Sequence, residues 1–332
     1  MADSSLATAA TSKTGGTLFH DLRDRPCPLC GGAGPVRSFA PECLDARRLS
    51  KDAFASRKLP DRMHWRIDHC LGCDLLYSAR VPRDSAIADE YRVATFPAKP
   101  ESRHAAETYA ALLRNDLPAS VGRGALLDIG TGDGMFLAAA RSLGFAEVAG
   151  VEPAEAAIAQ APDDLRPKIV HGLFGDGLFD ASSFDVVTCF QTIEHVPDPL
   201  GLCREAFRIL RPGGALVLVG HDFRALSARL LGTSSPIFDI EHLQLFNRAS
   251  FGRLLREAGF EARVVRPIWN RYPASHWVRL FPVPGFAGRL KPALVAASGW
   301  LPGRIPLPAG NLLAIGLRPA DSAGPADSRS AS

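Results

Sequence analysis

The first residues spaced for chemistry are three glycines. Gly130, Gly132 and Gly134 alternate through Gly130-Thr131-Gly132-Asp133-Gly134, directly after the apolar run Ala125-Leu126-Leu127-Asp128-Ile129. Such a run reads as a buried parallel strand. A strand that enters a glycine turn and then a helix offers backbone N–H groups to a ligand, and glycine lets that ligand approach the main chain. A carboxylate closes the next apolar run, Glu147-Val148-Ala149-Gly150-Val151-Glu152-Pro153. In a doubly wound sheet both strand ends reach the same carboxyl edge, where Glu152 can accept two hydrogen bonds from ribose hydroxyls. A dinucleotide fingerprint requires glycine at position 135, which is Met135 here, so a nucleotide-dependent oxidoreductase is disfavoured. For the loop taken alone, a plain tight turn is the alternative.

The second set is sulfur. Cys27-Pro28-Leu29-Cys30 and Cys70-Leu71-Gly72-Cys73 are two C-x-x-C pairs separated by 39 residues. Two such knuckles supply the four thiolates of a closed, structural zinc site. A redox pair, or four unrelated core cysteines, are the alternatives. Cys43 has no close partner in sequence and is left out; Cys189 and Cys203 read as core. His64 and His69 flank the second knuckle and read as surface residues, because four cysteines already fill the site.

Two further stretches follow the glycine loop in order. Ser183-Phe184-Asp185-Val186-Val187-Thr188 runs into Gln191-Thr192-Ile193-Glu194-His195-Val196, and Leu210-Arg211-Pro212-Gly213-Gly214-Ala215-Leu216-Val217-Leu218 comes next. In motif, order and spacing this resembles the class I S-adenosylmethionine-dependent methyltransferases over roughly residues 121–318. The resemblance implies an α/β fold, a doubly wound seven-stranded Rossmann-like sheet, with S-adenosylmethionine as cofactor. It implies that Gly130, Thr131, Gly132 and Gly134 cradle the cofactor's amino-acid end, with Asp133 beside them. Asp128 would meet its ammonium, directly or through water. Glu152 would take the ribose hydroxyls, with Pro153 adjacent, and Gln191 and Thr192 would line the cofactor. The loop Gly172-Leu173-Phe174 stands where the family packs the adenine. His195 belongs to a turn in which a histidine caps or packs.

A second Glu-His pair lies in Phe238-Asp239-Ile240-Glu241-His242-Leu243-Gln244-Leu245-Phe246. This resembles a stretch of the zinc-containing sugar C-methyltransferases, in which Glu and His sit at the acceptor. The chain has Phe238 and Ile240 where that stretch has tyrosine and histidine. Histidine titrates near neutral pH and a nearby carboxylate stabilises its charged form, so His242, oriented by Glu241 or another carboxylate, is the candidate general base. His195 is the competing base, and two structural histidines the plainer reading. Adjacent strand residues point to opposite faces, so the pair can cooperate only if 239–243 is a loop or turn.

The elements that must hold these residues follow from pattern. Residues 1–20 are rich in Ala, Ser, Thr and Gly and read as a disordered arm. The zinc-binding module spans 21–82, and a helical connector or lid spans 83–120, with helices at 84–91 and 102–117 and Tyr91 as a candidate lid residue. The methyltransferase domain spans 121–318. Strands at 261–266 and 311–317 bracket an insertion, 267–310, which holds Trp269, Trp277, Phe281, Phe286 and Trp300 among basic residues and prolines. Residues 319–332 read as a disordered tail.

A chain of 332 residues has room for one α/β core and an accessory module. A net charge of +3 without a Lys/Arg run argues against nucleic acid. The first residues lack a signal peptide's apolar centre and no stretch suits a bilayer span, so the cytoplasm is expected. Peripheral contact with the membrane's inner face through 267–310 is set against an acceptor lid or dimer contact there. The expected activity is methyl transfer to a small-molecule, sugar- or lipid-linked acceptor. Its rivals are an O-methyltransferase of the ubiquinone-pathway type and a zinc-ribbon interaction protein on a cofactor-binding scaffold. Oligomeric state is not legible.

Overall fold

The computed structural model describes residues 18–320, apart from 20, 50–51, 56–59, 98, 281–288 and 302. The expected arm and tail therefore lie outside the described residues, apart from Leu18, Phe19 and residues 319–320. Leu18 is buried, and the Phe19 ring packs on Trp65 at 5.8 Å, so the end of the supposed arm belongs to the fold.

Among the described residues five short strands come first: β1 (Leu22–Asp24), β2 (Val36–Ala40), β3 (Ile67–Cys70), β4 (Leu75–Ser78) and β5 (Arg80–Pro82). Helices Asp84–Arg92 and Lys99–Asp116 follow. The core strands are β6 (Ala125–Ile129), β7 (Glu147–Glu152), β8 (Ile169–His171), β9 (Phe184–Phe190) and β10 (Leu210–His221). After them come β11 (Gln244–Leu245), β12 (Glu261–Tyr272) and β13 (Ile305–Leu317). Seven strands form one sheet in the order β12-β13-β10-β9-β6-β7-β8, in which β13 is antiparallel to both β10 and β12 and so runs against the other six. Its middle strands are apolar on both faces: Leu126, Leu127, Val186, Val187, Leu216 and Leu218 are fully buried. Burying each such side chain is worth about 1.5–3 kcal/mol. Helix Arg248–Glu257 is fixed by a capping box from Asn247, whose side chain accepts from the Ser250 N–H.

Two departures from the sequence reading matter. The strands bracketing 267–310 run further than expected, pairing Ile268 with Asn311 and Tyr272 with Ile305. Pro267, Pro306 and Pro308 lie within these strands. Proline is tolerated because β12 is an edge strand, and β10 stops pairing with β13 at Asn311, which leaves one side of 305–310 without a ladder. Helices Ala274–Leu280 and Lys291–Ser298 lie beyond the paired strands; Phe281 and Phe286 are outside the described residues. Second, His64 and His69 are buried, not on the surface. His69 Nε2 lies 2.8 Å from Asp74 Oδ1, and His64 Nδ1 lies 3.0 Å from the Trp65 carbonyl, partners that make burial tolerable.

Of the N-terminal strands, β1 and β5 pair with each other, whereas β2, β3 and β4 do not form a sheet of their own. Their four-stranded sheet runs β11-β4-β3-β2, so its edge comes from the core, with Gln244 opposite Tyr77 and Leu245 opposite Leu76. The strand that completes the cysteine-bearing sheet begins two residues after His242.

Candidate functional site

The strand ends meet at a cavity of about 1050 Å³. Gly130, Gly132, Glu152, Pro153, Gln191 and Thr192 line it, as does the loop Gly172-Leu173-Phe174. Gly130 has φ +74°, and a Cβ there would stand 2.3 Å from Thr192 Oγ1, so only glycine fits this turn. Glu152 is buried at the end of β7, and its two oxygens accept from the Gly132 and Ala154 N–H groups at 2.8 and 2.9 Å. A carboxylate retains further lone pairs after two such bonds, so it can still receive a vicinal diol. The other four expected cofactor residues stand behind the wall. Asp128 accepts from Thr188 Oγ1 at 2.6 Å, binding β6 to β9. The Thr131 side chain fills the space above Gly150, where a Cβ would meet its Cγ2 at 2.5 Å. Asp133 accepts from the Met135 N–H at 3.4 Å, and Gly134 is the N-cap of helix Met135–Ser142.

Across the cavity the structure brings His195, Glu241 and His242 together. Each offers a ligand or proton-accepting atom, and the three atoms lie within 4.8 Å of one another. The condition set by sequence is met: residues 239–242 form a turn closed by the His242 N–H on the Asp239 carbonyl at 3.1 Å. The partners differ from those expected. Glu241 Oε2 lies 3.5 Å from His195 Nδ1, whereas His242 Nδ1 lies 2.8 Å from the Ile237 carbonyl. A carbonyl only accepts, so His242 Nδ1 carries a proton, and in the neutral ring Nε2 is left with its lone pair. Tyr91 Oη is 2.8 Å from His195 Nδ1, which makes the connector helix part of this wall. Burial holds the Tyr91 phenol well above its ordinary pKa, so it stays protonated.

Sequence reasoning missed His221, Asn270 and Asn311, which also line the cavity. His221 ends β10 and faces the His242 ring at 5.0 Å; its Nδ1 lies 2.8 Å from Asn311 Oδ1. Burial lowers His221 to about 4, so it is neutral at pH 7. Its place at the carboxyl end of a core strand was the available signal. The spacing of His195, Glu241 and His242 also suits a divalent cation.

Beneath the site lies Glu194, fully buried, with Oε1 accepting from the His221 N–H at 2.6 Å. Among the described residues its Oε2 has no hydrogen-bond partner. Burial raises its pKa from 4.5 to about 7. A folded-state pKa above the unfolded one gives stability that is whole below the unfolded pKa and lost as pH rises through the folded value. Between pH 5 and 8 this acid should therefore cost roughly 2–3 kcal/mol of stability. Denaturant unfolding across that window should show a shallower decline for Glu194→Gln; equal declines would clear Glu194 of the effect.

The four cysteines of the two knuckles also converge. Their sulfurs lie within 4.8 Å of one another, with Cys30 and Cys70 Sγ 3.7 Å apart. Sulfurs about 2.3 Å from a tetrahedral ion sit about 3.8 Å from each other, so the set fits zinc. Gly34 and Gly72 let the knuckles approach: a Cβ on Gly34 would come within 3.2 Å of Cys70 Sγ and 3.3 Å of Gly72 Cα. Cys43 is exposed, with its backbone bridged to His64; Cys189 and Cys203 are buried in the core.

Residues 102–265 match a family model described as a methyltransferase domain. The core is a class I S-adenosylmethionine-dependent methyltransferase domain. The ubiquinone biosynthesis O-methyltransferase of Xanthomonas oryzae pv. oryzae is 33% identical over 106 residues, 28% of this chain and 41% of that relative. The same-named protein of Chromobacterium violaceum is 28% identical over 160 residues, 43% of this chain and 67% of the relative. The chain thus spans about 41% of the length of the first curated relatives it matches. Among solved structures, geranyl diphosphate C-methyltransferase from Streptomyces coelicolor A3(2) is 16% identical, with a TM-score of 0.42 over 64% of this chain and 77% of that one. A chain of the Haloferax volcanii complex between the Trm112 activator and a methyltransferase is 21% identical, with a TM-score of 0.46 over 67% and 92%. Within this methyltransferase domain the glycine loop and Glu152 form one wall of the cavity; Glu241 and His242 form another.

Proposed function

We propose that this chain transfers a methyl group from S-adenosylmethionine to a small-molecule, sugar- or lipid-linked acceptor held against His195, Glu241 and His242. The observation that supports it best is the His242 ring, with its proton fixed on Nδ1 by the Ile237 carbonyl and Nε2 left to accept. Bound S-adenosylmethionine would supply the electrophilic methyl on a sulfonium. The residues do the remainder. The backbone of Gly130 and Gly132 would hold the amino-acid end, and Glu152 the ribose. Asp128, Thr131, Asp133 and Gly134 would shape that wall from behind. His242 Nε2 would take the acceptor's proton, while Glu241 and Tyr91 orient His195 beside it. A structural zinc on Cys27, Cys30, Cys70 and Cys73 would anchor the N-terminal module. In this reading the module comprises residues 21–82 together with the Gln244–Leu245 strand.

Cofactor binding is tested at Glu152. Two charge-assisted bonds to ribose are worth roughly 1.5–3 kcal/mol, so Glu152→Ala should weaken S-adenosylhomocysteine by about one to two decades in calorimetric titration. Unchanged affinity would retire the assignment. Methyl transfer from labelled cofactor into fractionated small-molecule, lipid and polysaccharide extracts then tests the activity. Binding without transfer into any fraction would favour the rival reading, an interaction protein on a cofactor-binding scaffold.

A further inference from the structure

The helix Lys291–Ser298 reads Lys-Pro-Ala-Leu-Val-Ala-Ala-Ser, and none of its residues is buried. Helices in folded proteins owe most of their stability to an apolar face packed against something. This one is apolar, yet only Lys291, Val295 and Ser298 are even half-buried, and Leu294 is exposed. Trp300, just beyond it, is 90% exposed, and Leu290, Leu294, Leu301 and Trp269 are exposed as well. A second segment repeats the pattern: in helix Leu226–Leu231, Leu226 and Leu230 are 70% and 75% exposed. The two segments border one opening. Gly310 of β13 packs against Ala225 and Ser227, and Ser227, Leu231, Trp277, Leu280 and Leu307 line the cavity that ends at His195 and His242.

Charge narrows the partner. Residues 267–310 contain Arg271, Arg279, Arg289, Lys291 and Arg304 and no Asp or Glu. Arg279 and Arg304 are paired with Glu101 and Glu107 of helix Lys99–Asp116. Arg271 and Arg289 are exposed, as is Arg229 beside the two leucines. A two-fold contact with another copy would bring these cations together with no acid of the segment to neutralise them. Exposed tryptophan and leucine with basic residues between them instead match the interface of an anionic bilayer. Among the described residues no helix is long and apolar enough to cross a membrane, so the contact would be peripheral.

We propose that this rim docks on an anionic phospholipid surface with the mouth of the cavity toward the lipid. The acceptor is then an amphiphile, its reactive head against His195, Glu241 and His242 and its apolar portion leaving past Trp277, Leu280 and Leu307. The acceptor half of the proposal rests on the methyltransferase reading above; the docking half does not.

The test is flotation of the full-length, zinc-loaded protein with vesicles of phosphatidylcholine alone or mixed with phosphatidylglycerol. Wild type should float with the mixed vesicles at least tenfold more than with phosphatidylcholine, and high salt should reduce this. Leu230→Glu and Trp300→Glu should each cut flotation about tenfold while S-adenosylhomocysteine affinity and thermal unfolding stay unchanged. Absence of flotation, or flotation that both variants retain, overturns the docking. So does light scattering that shows a dimer dissociated by Leu294→Glu, which would make the rim a subunit contact. Label from methyl-labelled cofactor should enter the organic phase of a total membrane-lipid extract. Label confined to the aqueous phase overturns the amphiphilic acceptor and leaves methyl transfer standing.

Discussion

Replacing His242 with alanine should lower turnover by roughly two to four decades, the usual size of a lost general base. S-adenosylhomocysteine affinity should hardly change, because His242 is not among the residues proposed to hold the cofactor. The expectation rests on proton placement. The Ile237 carbonyl can only accept, so Nδ1 donates and Nε2 is the basic atom. His195→Ala should have a smaller effect, because Nδ1 of His195 is engaged by Tyr91 and lies near Glu241. A dead His195→Ala beside an active His242→Ala would move the base to His195. Full activity in both variants would mean that positioning alone carries the reaction. Metal analysis separates a further case: a second metal equivalent lost together in both variants would assign the pair as ligands.

Removing the metal from Cys27, Cys30, Cys70 and Cys73 should abolish turnover while leaving cofactor binding in place. Structural zinc contributes roughly 10–16 kcal/mol to folding in small thiolate domains, so its loss should unfold the N-terminal strands. Those strands and the residues beside them hold the turn at residues 239–242. Trp65 Nε1 donates to the Ile240 carbonyl at 2.9 Å, and Ser78 Oγ to the His242 carbonyl at 3.2 Å. Arg25, buried, reaches the carbonyls of Leu243 and Pro197 and Gln244 Oε1. Burial lowers its pKa to about 10, which still leaves it charged at neutral pH. Elemental analysis should find about one zinc per chain for a single four-thiolate site, and Cys27→Ser should release it. Metal retained after that substitution, or turnover that survives its release, would break the link.

The parallel core was legible because its strands are continuous apolar runs, with β6 followed by glycines and β7 ending in an acid. Ala125–Ile129 and its glycine turn are the clearest case. The four sulfurs were legible for a similar reason, since C-x-x-C spacing is local. His221 and Asn311 were not. They meet because β10 and β13 pair, and that contact spans ninety residues with no local pattern to announce it. His64 and His69 were misjudged because what covers them comes from far along the chain: their rings meet Phe238 and Phe223. The pairing of β11 with β4 was invisible too: two residues at Gln244 and Leu245 make too short a strand to register by alternation.

That short strand has a consequence for how the chain is made. During synthesis the cysteine knuckles emerge early, and zinc can close them as soon as Cys73 is out. The edge of their sheet stays open until Gln244 and Leu245 arrive and lie beside Tyr77 and Leu76. An open edge is a template for other strands, and so distant a pairing closes slowly. On the zinc reading proposed above, the nascent protein would pass through a state with the knuckles closed and one strand edge bare. In vivo yield should depend on what covers that edge meanwhile, and truncations ending before residue 244 should aggregate through β4.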